Sequence, residues 1–230
     1  LGMTWFFMHD FPWPLQPKVV GEKRSVLSDL KTVFSNRELL KLAPVPFFVY
    51  GVFVSFQGLW VGPFLQQVYG MPQSVGSYFF IFISVGFVVT FPLVGFISDR
   101  IGRRKQVVLV GILLSLIGWI LLTFFGGALA DYQIIALFSF IGVSYGVAVV
   151  FLTIPVNLCP PEISGLAIGS LNIFNFVGGG FFQFFMGYLL DLTSQQSNVF
   201  LSWQIIFGVS AICVLIALLS AWRLNEKICG

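Results

Sequence analysis

From Leu42 to Ser98 the chain contains no Asp, Glu, Lys or Arg. A soluble domain carries roughly 25% charged residues, which keep its surface wet, whereas this chain as a whole is 57% hydrophobic and 9% charged. Crossing a hydrocarbon core of about 30 Å takes roughly 20 apolar residues in a helix. The apolar runs here are continuous rather than alternating with period two, so helices are the expected spanning form and a barrel is not. The expected fold class is an all-α membrane protein.

Six transmembrane helices are predicted after Pro44, at about 44–66, 74–97, 105–126, 133–156, 165–189 and 201–222, joined by short loops. The expected organisation is a remnant of a preceding membrane helix and its exit over 1–16, a basic amphipathic linker over 17–43, a six-helix bundle over 44–223 and a tail over 224–230. The chain opens on Leu1, which fits either an unusual start or a segment that continues a helix begun upstream. In the linker, Val26, Leu30, Val33, Phe34 and Leu40 recur at helical spacing, as in a helix lying on the membrane surface; a solvated linker without an ordered role is the other reading.

Cytoplasmic segments retain Lys and Arg, so the basic residues orient the bundle. All twelve of them lie on the side shared by the linker, the second loop, the fourth loop and the tail, Lys105 and Arg223 at the very ends of spans, while the first, third and fifth loops hold only Asp131 and Asp191. Both termini are therefore expected on the cytoplasmic side, in a bacterial inner (plasma) membrane. Trp60, Trp203 and Trp222 lie near span ends, where an interfacial aromatic belt forms.

The charge-free stretch ends in Gly95-Phe-Ile-Ser-Asp99-Arg100-Ile-Gly102-Arg103-Arg104-Lys105, with five charges in seven positions. Composition alone explains these residues as a topological anchor, because a charge at the centre of a helix costs about 2.5 to 3.5 kcal/mol on insertion scales. Their order says more: Gly95 allows close packing, Gly102 allows a tight turn, and the arginines offer guanidinium groups to phosphates or helix ends. The spacing Gly-x-x-x-Asp-Arg-x-Gly-Arg-Arg resembles the signature loop of the major facilitator superfamily, which lies between the second and third helices of a six-helix half. Pro160-Pro161-Glu162-Ile163-Ser164-Gly165 resembles that family's Pro-x-Glu-x-Arg-Gly loop, with Ser164 in place of the arginine, and the glycine-rich fifth span is also similar.

The resemblance implies one half of a major facilitator superfamily fold, and the leading remnant followed by a basic linker makes it the C-terminal half. It further implies that Gly95, Asp99, Arg100, Gly102, Arg103 and Arg104 act at a cytoplasmic gate facing a second six-helix half. A transporter's solute site lies near the midplane and needs polar groups. In the first span Tyr50 and Gln57 are seven residues apart and so nearly eclipsed on an α-helix, with Trp60 close in angle. In the fifth, Gly165, Gly169, Asn172, Asn175, Gly179, Gln183 and Gly187 share about one third of the circumference at 100° per residue. Either tight helix packing or cavity lining accounts for that face. Tyr145 in the fourth span joins the substrate-binding candidates, and Gly142 and Gly146 are packing or flexing positions. The resemblance puts the first, second, fourth and fifth helices around the central cavity, with the third and sixth outside.

His9 is the sole histidine, and the three cysteines have no ligand spacing, so no metal and no cofactor are expected. No cluster of chemistry-bearing residues lies at helix depth, which argues against an enzyme, and no ionisable group occupies the middle of a span, so a proton-coupling group would come from elsewhere. The expected function is the C-terminal half of a secondary transporter that moves a small polar solute by alternating access. The expected partners are that solute, membrane lipid and the missing N-terminal half or a second copy, with no nucleic acid. The alternatives are a complete six-span half-transporter acting as a homodimer, or a non-functional remnant of a split transporter gene.

Overall fold

The structure, a computed structural model, describes residues 25–159, 163–193 and 198–224. The expected remnant at 1–16, the first part of the linker, residues 160–162 of the Pro160 loop and the last six residues lie outside them. Every regular element among the described residues is helical, and six helices are long and apolar enough to cross a membrane: Arg37–Tyr69, Gln73–Ile101, Arg104–Phe125, Asp131–Pro155, Ser164–Thr193 and Val199–Trp222.

Ahead of them runs a short helix, Val26–Ser35. Of the apolar stripe expected in the linker, Val33 in this helix is fully buried and Phe34 exposed, while Leu40, exposed as well, falls beyond it in the helix that starts at Arg37. The helix packs on the fifth span, so the bundle itself takes up its anchoring residue. Asn36 then restarts the helix by accepting hydrogen bonds from the amides of Glu38 (3.0 Å) and Leu39 (3.4 Å), an N-cap that lets the first span begin at Arg37 rather than at Pro44. Ser220 Oγ donates to the Lys41 carbonyl at 3.2 Å and ties the end of the sixth span to this start.

The first span is not a uniform α-helix. Two wide π-helical turns, Pro46–Tyr50 and Phe56–Trp60, flank the α-helical stretch Gly51–Ser55. The fourth span is interrupted: one helix ends at Tyr145 and the next starts at Ala148. Just before the interruption Ser144 Oγ donates back to the Ile141 carbonyl at 2.7 Å, a bond that bends helices.

Glycine makes two turns possible. Gly70 (φ 65°) closes the first span and Gly102 (φ 66°) the second, each in the left-handed region where a side chain is strained. The second span therefore runs on through Asp99 and Arg100 to Ile101, and only 102–103 separate it from the third.

The most extensive span contacts are second with fourth, third with sixth and first with fifth. Exchanging first with fourth, second with fifth and third with sixth maps this set of pairs onto itself, the pattern of two inverted three-helix repeats. Glycines set the separations. A Cβ at Gly178 would overlap the Phe47 backbone and one at Gly51 would lie 2.7 Å from Gly178, so first and fifth spans meet backbone to backbone. Gly142 meets the Ile83 carbonyl in the same way, and Gly86 meets that of Ser139 at 2.7 Å, joining second and fourth.

One end of the bundle, away from the Gly102 turn, is filled by rings. Phe56, Phe64, Trp119, Trp203 and Phe207 are buried together, with Phe64 and Phe207 centroids 5.1 Å apart and Phe56 and Trp119 5.3 Å apart. Trp203, expected in an aromatic belt, is fully buried instead, because its Nε1 donates to Gln67 Oε1 at 3.1 Å and its ring packs on Phe64 and Phe207. Trp222 is exposed. Tyr69 pins the loops of this end: its hydroxyl donates to the Gly126 carbonyl at 2.5 Å and accepts from the Leu129 amide at 3.3 Å.

Candidate functional site

The other end of the bundle is hollow. A cavity of about 390 Å³, within the usual range for small-molecule pockets, lies between the first, second, third, fourth and fifth spans. Its lining comes from the halves of the spans nearest the Gly102 turn, so it shares that end with the charged cluster.

Backbone irregularities open it. The first π-helical turn carries Pro46, Val49 and Tyr50 to the wall, and the interruption of the fourth span carries Tyr145, Val147 and Ala148. Wide turns and broken helices free the backbone from one regular register and recur at binding sites. The third span reaches the cavity because Gly111 lets Val147 approach so closely that an added Cβ would stand 2.5 Å from it. Val108 and Ile112 therefore join the lining, against the expectation that this helix lies outside; the sixth span contributes no lining residue.

Of the substrate-binding candidates, Tyr50, Tyr145, Asn172 and Asn175 come together here. Tyr145 is buried, its ring stacked on Phe53 at 3.9 Å, and its hydroxyl accepts from Trp119 Nε1 at 3.0 Å. That commitment makes it a rigid floor between the cavity and the aromatic end. Asn175 Nδ2 donates to Asn172 Oδ1 at 2.9 Å. The pair leaves the Asn172 amide group as donor and the Asn175 carbonyl oxygen as acceptor, on two residues that line the cavity. Around these polar groups the wall is apolar and aromatic, from Val45, Phe87, Phe91, Phe151 and Leu171, and no charged side chain lines it.

Gln57, Trp60 and Gln183 do not line the cavity. Gln57 Nε2 donates to Ser84 Oγ at 3.0 Å, joining first and second spans. Trp60 packs edge-on against Trp203 at 6.3 Å and beside Gly187, at the aromatic end. Gln57 lies about two turns beyond Tyr50 along the first span and so at a depth nearer the aromatic end, and the second wide turn, Phe56–Trp60, uses more residues per turn than an α-helix, which shifts the angle of Trp60 relative to Tyr50. Gln183 is half-buried, two turns beyond Asn175 and toward the aromatic end. The stripe of small residues also divides. Gly165 and Gly169 meet nothing, Gly179 is in ordinary contact with Val54, a Cβ added at Gly187 would stand 3.2 Å from the Trp60 ring, and the backbone-to-backbone approach is made by Gly178, one residue off the stripe.

In the charged cluster, Asp99 and Arg104 form an ion pair at 3.6 Å across the Gly102 turn. Arg100 and Arg103 are exposed. Gly95 does not serve close packing within the chain, since an added Cβ would sit 3.8 Å from the Val149 side chain, an ordinary contact.

The aromatic and aliphatic lining residues escape sequence reading because nothing distinguishes them from lipid-facing neighbours of the same type. Pro46 offered one signal, since a proline inside a predicted span disturbs regular helix.

A comparison with curated proteins returns no significant match. The family model described as Major Facilitator Superfamily matches residues 1–182 and residues 80–227. Transporters of this family are generally not enzymes. Six apolar spans and a family match over nearly all of its length show that this integral membrane protein belongs to the major facilitator superfamily of membrane transporters.

Proposed function

We propose that the chain is the C-terminal six-helix half of a secondary transporter that moves a small uncharged solute by alternating access, with the basic end of the bundle cytoplasmic in a bacterial inner membrane. One observation carries the reading: a cavity of about 390 Å³ with two hydrogen-bonding asparagines and two tyrosines in an otherwise apolar wall. Such a lining suits a solute with an apolar body and an amide-like or hydroxyl edge. It is a poor match for an ion, because a buried charge without a partner is expensive. Charged groups for ion coupling then belong to the other half. The second and fifth spans support the pairing, being the two least buried, while the fifth is also the least apolar of the six and so the least suited to face lipid alone.

Ligand-induced thermal stabilisation of the purified chain tests the cavity, since a ligand that binds the folded state raises the melting temperature. Neutral amphipathic solutes should stabilise it, and N172L or N175L should abolish the effect. Equal stabilisation by charged analogues, or stabilisation indifferent to both asparagines, would refute the assignment. Uptake into vesicles holding this chain with a second six-helix half tests transport itself.

A further inference from the structure

We propose that a crevice between the second, third and fourth spans binds one anionic phospholipid, with an acyl chain along the crevice and the phosphate against the cations of the Gly102 turn. The crevice encloses about 360 Å³ and is distinct from the solute cavity, from which Val147 separates it by contributing to both walls. Its outer rim consists of Ile97, Ile101, Val110 and Val143, all exposed, so it opens away from the bundle toward hydrocarbon. Thr90 and Ser144 are the polar residues along its depth, and Ser144 Oγ is already spent on the Ile141 carbonyl. An acyl chain fits that surface; a polar solute does not.

Ile101 and Gln106 form one end of the crevice, and between them in the chain lie Arg103, Arg104 and Lys105, with Arg100 just before. Asp99 is the one carboxylate of this turn; it pairs with Arg104 at 3.6 Å and is itself 74% exposed, so four cations face a single anion. The third span begins at Arg104 with no side chain capping it, which leaves first-turn amides and the positive end of the helix dipole on the same spot. A Cβ added at Gly102 would meet nothing within 4 Å, so the turn itself is open on that side. Apolar crevice and cationic mouth are adjacent, and an anionic phospholipid satisfies both. A zwitterionic lipid would bring an ammonium group to the cations, and free phosphate would leave the crevice unused.

The test is native mass spectrometry of the intact chain in neutral detergent, with phosphatidylglycerol, phosphatidylcholine or soluble glycerophosphoglycerol added. Phosphatidylglycerol should be retained at one copy in preference to phosphatidylcholine. Removing a cation with R104Q or K105Q should weaken retention about fivefold each, and K105R should preserve it. V110W fills the crevice from an exposed position that folding does not depend on, and it should displace the lipid while the cations remain. Equal retention of the two lipids, indifference to R104Q and K105Q, or unchanged binding in V110W would overturn the proposal. So would competition by glycerophosphoglycerol as strong as that of the whole lipid, since it would reduce the site to a surface anion contact.

Discussion

Tyr145 has two roles in the fold: it walls the cavity and it holds Trp119 in place. Trp119 is fully buried, and its indole N–H has the Tyr145 oxygen at 3.0 Å. Y145F would leave that donor without an acceptor at a cost of about 1 to 3 kcal/mol, so a lower melting temperature in detergent is expected, with solute stabilisation retained because the ring still forms the floor. An unchanged melting temperature would mean that the bond contributes nothing. Cys159, outside the spans, offers a second check at the same scale. Burial raises its thiol above the ordinary range, and a hydrogen bond with Asn36 opposes that rise. The thiolate is the reactive form, so in a C213A/C229A background maleimide labelling should be slow at neutral pH and climb only as pH passes above the usual thiol range. Asn36→Ala should push that climb to still higher pH; labelling that peaks at neutral pH would contradict the assignment.

At the scale of elements, glycine positions decide which helices may touch. G178L would drive a side chain into the Phe47 backbone, whereas G180A extends into space with nothing within 4 Å. Overpacking typically costs 1 to 3 kcal/mol and more against backbone, so the first variant should lose its monodisperse peak in size-exclusion chromatography while the second keeps it. The reverse order would show that first and fifth spans are not packed as described. Both residues belong to one glycine run, and the sequence alone does not rank them. The six spans themselves were legible, because continuous apolarity, with charge confined to the connections and ends, reports membrane crossing directly. Their inner register was not: π-helical turns in the first span and the break in the fourth leave no periodic signature, and they are what brings Tyr50 and Tyr145 to the cavity wall.

For the whole molecule, the two ends of the bundle differ in kind, one filled by rings and pinned by Tyr69, the other hollow beneath the charged turn. The outward faces of the second and fifth spans are lined with Phe96, Phe176 and Phe184, the last 86% exposed. If a second six-helix half covers them, a photoreactive residue at Phe184 should crosslink to protein, and one at Phe124 of the third span should crosslink to lipid. Lipid adducts alone at both positions would exclude a partner at that face. Asp99, the carboxylate of the Asp99–Arg104 pair, is 74% exposed, and the 3.6 Å separation is long, so D99N should change stability by less than about 1 kcal/mol; a gating role would appear instead as altered uptake at unchanged melting temperature.

The sequence by itself determined the solvent, the number of crossings and the family. The first two follow from where charge is tolerated, a rule that a bilayer enforces on every residue separately, and the third from the order of residues between Gly95 and Lys105. Only the tertiary structure decided which polar side chains meet. Asn172 and Asn175 gained a cavity and Gln57 a neighbouring helix, because side-chain direction depends on the local turn of the backbone and on how near glycine lets the next helix come. The signature cluster stands between the two. Its residues named the family, while the fold placed an apolar crevice beside its cations.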